Sequence, residues 1–198
     1  MDTTTIISLA VVALLLGWAV VIYNQLVALS NRYQNGFAQI EVQLKRRYDL
    51  IPNLVETTKG YLLHERETLE AVVNARNAAA SALDALGGSI NAEGIQTLSG
   101  AENALGAALG KFSVVMEAYP DLKASANVQQ LNEELASTEN RVAFARQGFN
   151  YAEMSYNTYR QSFPNLLIAN RFGHTEDAQL LEFDDSEQIQ EAPKISFT

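Results

Sequence analysis

The sequence predicts an all-α protein: an N-terminal transmembrane helix followed by an antiparallel, up-and-down bundle of four long helices and a partly irregular C-terminal tail. Three observations predict it. The first 29 residues carry a dense apolar block. Later stretches place apolar side chains at alternating steps of three and four, the spacing of one helix face. Glycine, asparagine and proline gather between those stretches, where turns belong.

From Ile6 to Ile22 run seventeen residues without a charge, with Ser8 as the one polar side chain. At about 1.5 Å per residue they cover roughly 26 Å, close to the hydrocarbon thickness of a bilayer. Continuation through Tyr23-Asn24-Gln25 into Leu26-Val27-Ala28-Leu29 carries the helix into the interface, with Trp18 or Tyr23 at headgroup level. The run is apolar all round, unlike the stripe of a core helix. It has no basic segment before it and no small-residue cleavage site after it, which argues against a cleaved leader. Residues 1–5 therefore form a short tail and residues 6–29 an anchor in the lipid bilayer. Arg32 is the one cation within about 20 residues beyond Ile22, and Asp2 lies on the short side; this bias favours an outside N-terminus and a cytoplasmic body.

Residues 30–163 read as the helical bundle. Phe37, Ile40, Leu44, Ile51, Val55, Thr58, Leu62, Leu69 and Val72 recur at helical steps. Pro52 interrupts them, and because proline lacks an N–H and crowds the preceding turn, a kink or a restart is expected there, with Asp49 as a cap. Turn chemistry then fills Leu83 to Ser99, through Gly87-Gly88-Ser89, Asn91 and Gly94. A second seam runs through Leu98, Ala101, Leu105, Leu109, Phe112, Met116 and Tyr119 and stops at Pro120, with Asp121 placed to cap the next helix. Gly106 and Gly110, four apart, are expected to let a neighbouring helix approach closely.

The third seam, Val128, Leu131, Leu135, Thr138, Val142, Ala145, Phe149, Ala152, Tyr156, Tyr159 and Phe163, alternates three and four over five heptads. Phe163-Pro164 ends it, since a residue before proline is pushed out of the helical region. Helices are thus expected at about 52–84, 97–119 and 122–163. The tail, 164–198, carries Leu166, Leu167, Ile168 and Phe172 as packing anchors. Its acidic part, Asp177 to Glu191, has little periodicity, and Ile195 and Phe197 are candidates to dock on a neighbour.

Little in the sequence offers chemistry. A net charge of −9 argues against nucleic acid as a partner, and with no cysteine there is neither a thiolate nucleophile nor a thiolate metal site. A carboxylate-bridged di-metal bundle needs Glu-x-x-His pairs, but Tyr61 precedes His64 and Arg171 precedes His174 at that spacing. His64 beside Glu65 reads as a helix-surface pair. Without a hydrolytic triad, phosphate loop or zinc-protease motif, the chain is expected to be no enzyme and to hold no cofactor. Lys45-Arg46-Arg47 suits ion pairs with Glu41 and Asp49. Arg46, Arg47, Glu56 and Tyr156 are expected to share a polar network between helices, because a buried tyrosine hydroxyl needs a partner.

The stretch Gln39-Ile40-Glu41-Val42-Gln43-Leu44-Lys45-Arg46-Arg47-Tyr48-Asp49-Leu50-Ile51-Pro52-Asn53-Leu54-Val55-Glu56 resembles the signature of the LemA family. Lys59-Gly60-Tyr61 with His64-Glu65, Glu117-Ala118-Tyr119-Pro120-Asp121-Leu122-Lys123-Ala124, Glu139-Asn140-Arg141 with Ala145-Arg146, Tyr156-Asn157 and Ser162-Phe163-Pro164-Asn165 agree with it. The resemblance covers nearly the whole chain, anchor included. It implies a bacterial inner-membrane protein with an outside N-terminus and a cytoplasmic helical body, and it brings no catalytic residues. It also implies a link to membrane protein quality control through an HtpX-like membrane metalloprotease. The leading expectation is a scaffold that assembles with copies of itself or recruits membrane proteins; the alternative is an adaptor of such a protease.

Overall fold

The computed structural model describes residues 2–87 and 90–181. These residues are all-helical, with six helices and no strand among them: α1 (Thr3–Lys59), α2 (Arg66–Leu86), α3 (Ala92–Glu117), α4 (Pro120–Lys123), α5 (Ala126–Gln161) and α6 (Asn165–Arg171). Gly88, Ser89 and most of the acidic tail, with Ile195 and Phe197, lie outside the described residues.

Helix α1 runs through Pro52 without a break, so the expected restart, and the role of Asp49 as its cap, are corrected. Proline at 52 removes one N–H, the one that would bond the Tyr48 carbonyl a turn earlier. The Arg76 side chain of α2 supplies the missing donor, Nε to Tyr48 O at 2.9 Å. The break comes instead after Lys59, where Gly60 is a poor helix former and the Thr58 carbonyl accepts the N–H groups of both Tyr61 and Leu62. The helix expected over 52–84 is therefore two, with the buried Leu62 seated in the turn between them.

Helix α2 ends on Gly87, whose φ of +49° places it in the left-handed region, where the absence of a Cβ removes the steric cost. Asn91 caps α3, its side-chain oxygen accepting the Gly94 N–H at 2.8 Å. This cap starts α3 at Ala92, earlier than the expected 97. Pro120 opens α4 as its first residue, a position where the lost N–H has no intrahelical partner anyway. The helix expected over 122–163 divides into α4 and α5, and Gln129 Nε2 satisfies the freed Lys123 carbonyl at 2.9 Å. Phe163 stands beyond the end of α5, joined to Pro164 by a cis peptide bond.

The described residues divide into two compact units, residues 2–38 with 147–178, and residues 39–87 and 90–146 with 179–181. In the first, Ile22, Leu26 and Leu29 of α1 pack with Tyr156 of α5 and Ala169 of α6, and Tyr159, Ile168 and Ala178 close around them. Further along, Phe149 stacks on Tyr33 with ring centroids 4.8 Å apart and meets Phe37 edge-on at 5.9 Å. Gly36 permits this, since a Cβ there would lie 3.2 Å from the Phe149 Cα. The packing face of α1 therefore begins at Ile22, inside the segment expected to be anchor through residue 29.

In the second unit, α2 and α3 pack on each other, and Ile40, Leu44, Ile51, Leu105, Phe112 and Val142 are among its buried side chains. The tight glycine here is Gly94, where a Cβ would fall 2.6 Å from the Leu86 side chain. Gly106 and Gly110 have nothing within 4 Å of a Cβ. They line an open groove with Leu109, Met116, Asn132 and Leu135, which corrects the close approach expected of them.

Candidate functional site: a buried carboxylate in the helical body

The most unusual group in the second unit is Glu102, a carboxylate on α3 that is only 4% exposed. It sits in the second seam beside Ala101 and Leu105, so the fold carries a charge where the pattern calls for apolar contact. Ionised carboxylates are rarely buried without partners, and both oxygens are occupied. Arg47 of α1 donates Nη1 to Oε2 at 3.0 Å, and the neighbouring Tyr48 hydroxyl donates to Oε1. Burial pushes the Glu102 carboxyl above its ordinary value, and the Tyr48 hydrogen bond with the Arg47 and Arg146 guanidiniums pulls it back in part. Burial, reinforced by the Glu102 charge, likewise raises the Tyr48 phenol, which stays a donor across the working pH range.

The signature stretch thus organises three helices through adjacent residues. Arg47 and Tyr48 side chains reach α3, while the Tyr48 carbonyl accepts from Arg76 of α2. Arg76 also approaches Asp49, 3.9 Å away on an exposed carboxylate, a pairing that contributes little in water.

Of the residues expected to form the network, only Arg47 belongs to it. Arg46 and Glu56 are exposed, and Glu56 pairs with Lys59 at 3.6 Å, three residues on, not with Arg47. Lys45 pairs with Glu41 one turn back. Tyr119 donates to Glu65 at 3.4 Å, tying the start of α4 to the turn before α2. His64 lies exposed in that turn and not on a helix. Glu102 and Arg76 escape a reading of the sequence because one sits within an apolar seam and the other on a polar face, and neither position signals a partner about 28 or 55 residues away.

Tyr156 belongs to the first unit, where its hydroxyl meets His174 Nδ1 at 3.0 Å. Burial, with the Arg160 charge, holds the His174 imidazole below its ordinary value. Around it the segment after α6 is strapped to α5. Asn157 exchanges two hydrogen bonds with the backbone of Ala178, at 3.0 and 2.8 Å. Arg160, itself buried, donates to the carbonyl of Thr175 at 3.1 Å and pairs with Asp177, which also accepts from Gln161 at 2.9 Å. These contacts hold the described start of the tail, whose composition alone suggests a loose segment.

Chemically, the Glu102 arrangement positions helices: both carboxylate oxygens accept from side chains of α1, which ties α3 to α1. Among the described residues, no three His, Asp or Glu side chains are grouped so as to hold a metal ion.

Residues 36–197 match the LemA family, so the matched region begins beyond the apolar span and does not include the anchor. The chain is also similar to magnetosome protein MamQ 2 of Paramagnetospirillum magneticum, 26% identical in an alignment 160 positions long that covers 72% of this chain and 58% of that protein. Magnetosome protein MamQ of Magnetospirillum gryphiswaldense gives the same identity and coverage. The chain therefore spans less than two thirds of the length of these curated relatives.

Proposed function

The chain belongs to the LemA family, and on that premise we propose that it is a membrane-anchored, non-enzymatic scaffold of the bacterial inner membrane that self-assembles and recruits membrane proteins. The observation that carries this reading is helix α1. Its apolar stretch is exposed from Ile6 through Val21, the half-buried Ala19 excepted, and it is long and apolar enough to cross a membrane. The same unbroken helix then buries Ile22, Leu26 and Leu29 in the folded body. An exposed apolar surface of this size is stable only where water is excluded. With no loop between span and body, the anchor holds the body at the bilayer.

The assembling surface is supported by α5. Phe144, Tyr151 and Met154 are exposed on it at steps of seven and three, an apolar stripe on the helix face opposite its buried seam. Large apolar side chains in a row favour a protein neighbour, and a copy of the same chain offers the same row.

The test is the mass of the full chain in nanodiscs by native mass spectrometry, beside a Phe144→Glu, Tyr151→Glu variant. A discrete multiple of the monomer that falls to smaller species in the variant is the expected result. Monomers at every concentration would end the self-assembly reading, and a near-equimolar HtpX-like metalloprotease co-purifying with those monomers would put the adaptor reading in its place.

A further inference from the structure

The first unit leaves one apolar surface unaccounted for. Phe163 is 83% exposed, Leu167 61% and Phe172 57%, with Leu166 beside them. They lie on or next to α6, a seven-residue helix that buries Ala169 and half-buries Ile168 against Ile22, Leu26 and Leu29 of α1. Four large apolar side chains exposed together on or beside so short a helix form a contiguous patch of the kind that marks a contact with a partner or a membrane.

Its position supplies the reason. The apolar run of α1 ends at Ile22, and Tyr23 is the next residue. The Phe172 ring packs on the Tyr23 ring, centroids 5.6 Å apart, and the rest of α6 lies beside the following two turns of α1. A hydrocarbon core needs about 20 helical residues; Ile6 to Ile22 falls a few short, so the acyl boundary lies within a few residues of Tyr23. Aromatic residues favour that level. The polar residues of the segment fit it too: Asn170 and Arg171 are exposed beside the apolar group, and a long arginine side chain extends its charge into the headgroups while its stem stays in apolar surroundings.

We propose that Phe163, Leu166, Leu167 and Phe172 form a membrane foot, a second lipid contact lying in the interface beside the transmembrane span. The inference rests on the anchor reading of α1 and goes beyond it, since it assigns the lipid bilayer as the cover of a segment about 140 residues away in sequence. The foot restrains the tilt of α1 in the bilayer, because only one side of α1 carries α6. A single span leaves that tilt direction free.

The chain has one tryptophan, Trp18, which allows a direct test with the full protein in nanodiscs of phosphatidylcholine and phosphatidylglycerol. In a Trp18→Phe background, Leu167→Trp and Phe172→Trp each report one foot position. Val114→Trp, at an exposed site of the second unit, reports water. Lipids brominated near the headgroup should quench Trp at 167 and 172 strongly, and aqueous iodide should quench them several-fold less than Trp at 114. Quenching by iodide as strong as at 114, with none by brominated lipid, overturns the foot. Shielding from both quenchers also overturns it and assigns the surface to a protein neighbour. Native Trp18 separates the two readings: if lipid brominated on the acyl chain leaves Trp18 unquenched at every bromine depth, the anchor itself fails, whereas quenched Trp18 with water-exposed 167 and 172 removes only the foot.

Discussion

Pro52 and Arg76 show how one missing hydrogen bond is met from another helix. The Tyr48 carbonyl that proline leaves open is taken by Arg76, so Arg76→Met should cost about 1–3 kcal/mol, the range for a buried acceptor without its donor. In a Pro52→Ala background the helix supplies its own N–H, and the same substitution should cost measurably less; additive denaturation midpoints for the pair would break the link. Glu102 has larger consequences. Removing its charge by Glu102→Ala strands Arg47 in the interior and should cost about 3–5 kcal/mol, while Arg47→Met with Glu102→Leu should recover most of the loss. The pH dependence stems from the raised carboxyl. The folded state holds the Glu102 proton more tightly than the unfolded chain does, so this contribution is complete below the ordinary carboxylate range, about pH 4, and is lost as pH rises through the folded value. Urea midpoints of the wild type should therefore fall relative to Glu102→Gln over that rise; parallel curves would show that Glu102 does not titrate in the fold.

Among the helices, α5 has the most varied tasks. Its seam buries Phe149, Ala152 and Tyr156, as its spacing predicts, while the residues between them do what periodicity cannot show. Asn157 and Arg160 hold the segment 174–178 by its backbone and by Asp177. Asn157→Ala with Arg160→Ala should speed amide exchange of Ala178 and its neighbours while leaving α5 protected, as hydrogen-exchange mass spectrometry would resolve. Hydrogen bonds from Gln161 and Arg160 hold the Asp177 carboxyl below its ordinary value. The strap is therefore intact above the usual carboxylate range and loosens as pH falls through the folded value, opposite in direction to Glu102. Exchange at Ala178 that is indifferent to acid would separate Asp177 from the strap.

For the whole molecule, the decisive element is α1, which runs unbroken from the exposed apolar stretch into the packing of Ile22, Leu26 and Leu29 against α5 and α6. The charge bias across the span is small, Asp2 against Arg32, and it predicts a cytoplasmic body. A reporter at the C-terminus that is active only in the cytoplasm is the expected result, and activity only outside would reverse the topology. In the second unit, the one deeply buried carboxylate among the described residues joins α3 to α1.

The sequence by itself determined that the protein is helical, where its apolar run lies, and that Leu98, Leu105 and Phe112 of α3 and Val128, Val142, Phe149, Ala152 and Tyr156 of α5 face inward. Those properties are local: a period near 3.6 residues and an uncharged run can be counted without knowing what lies opposite. Only the tertiary structure decided that Arg47 meets Glu102 and not Glu56, that Arg76 lets α1 continue past Pro52, that Gly36 and Gly94 are the close approaches in place of Gly106 and Gly110, and that α6 lies beside the end of the apolar run. Each of these depends on which helix face meets which, and a polar residue on a helix carries no mark of the distant partner that makes its burial possible.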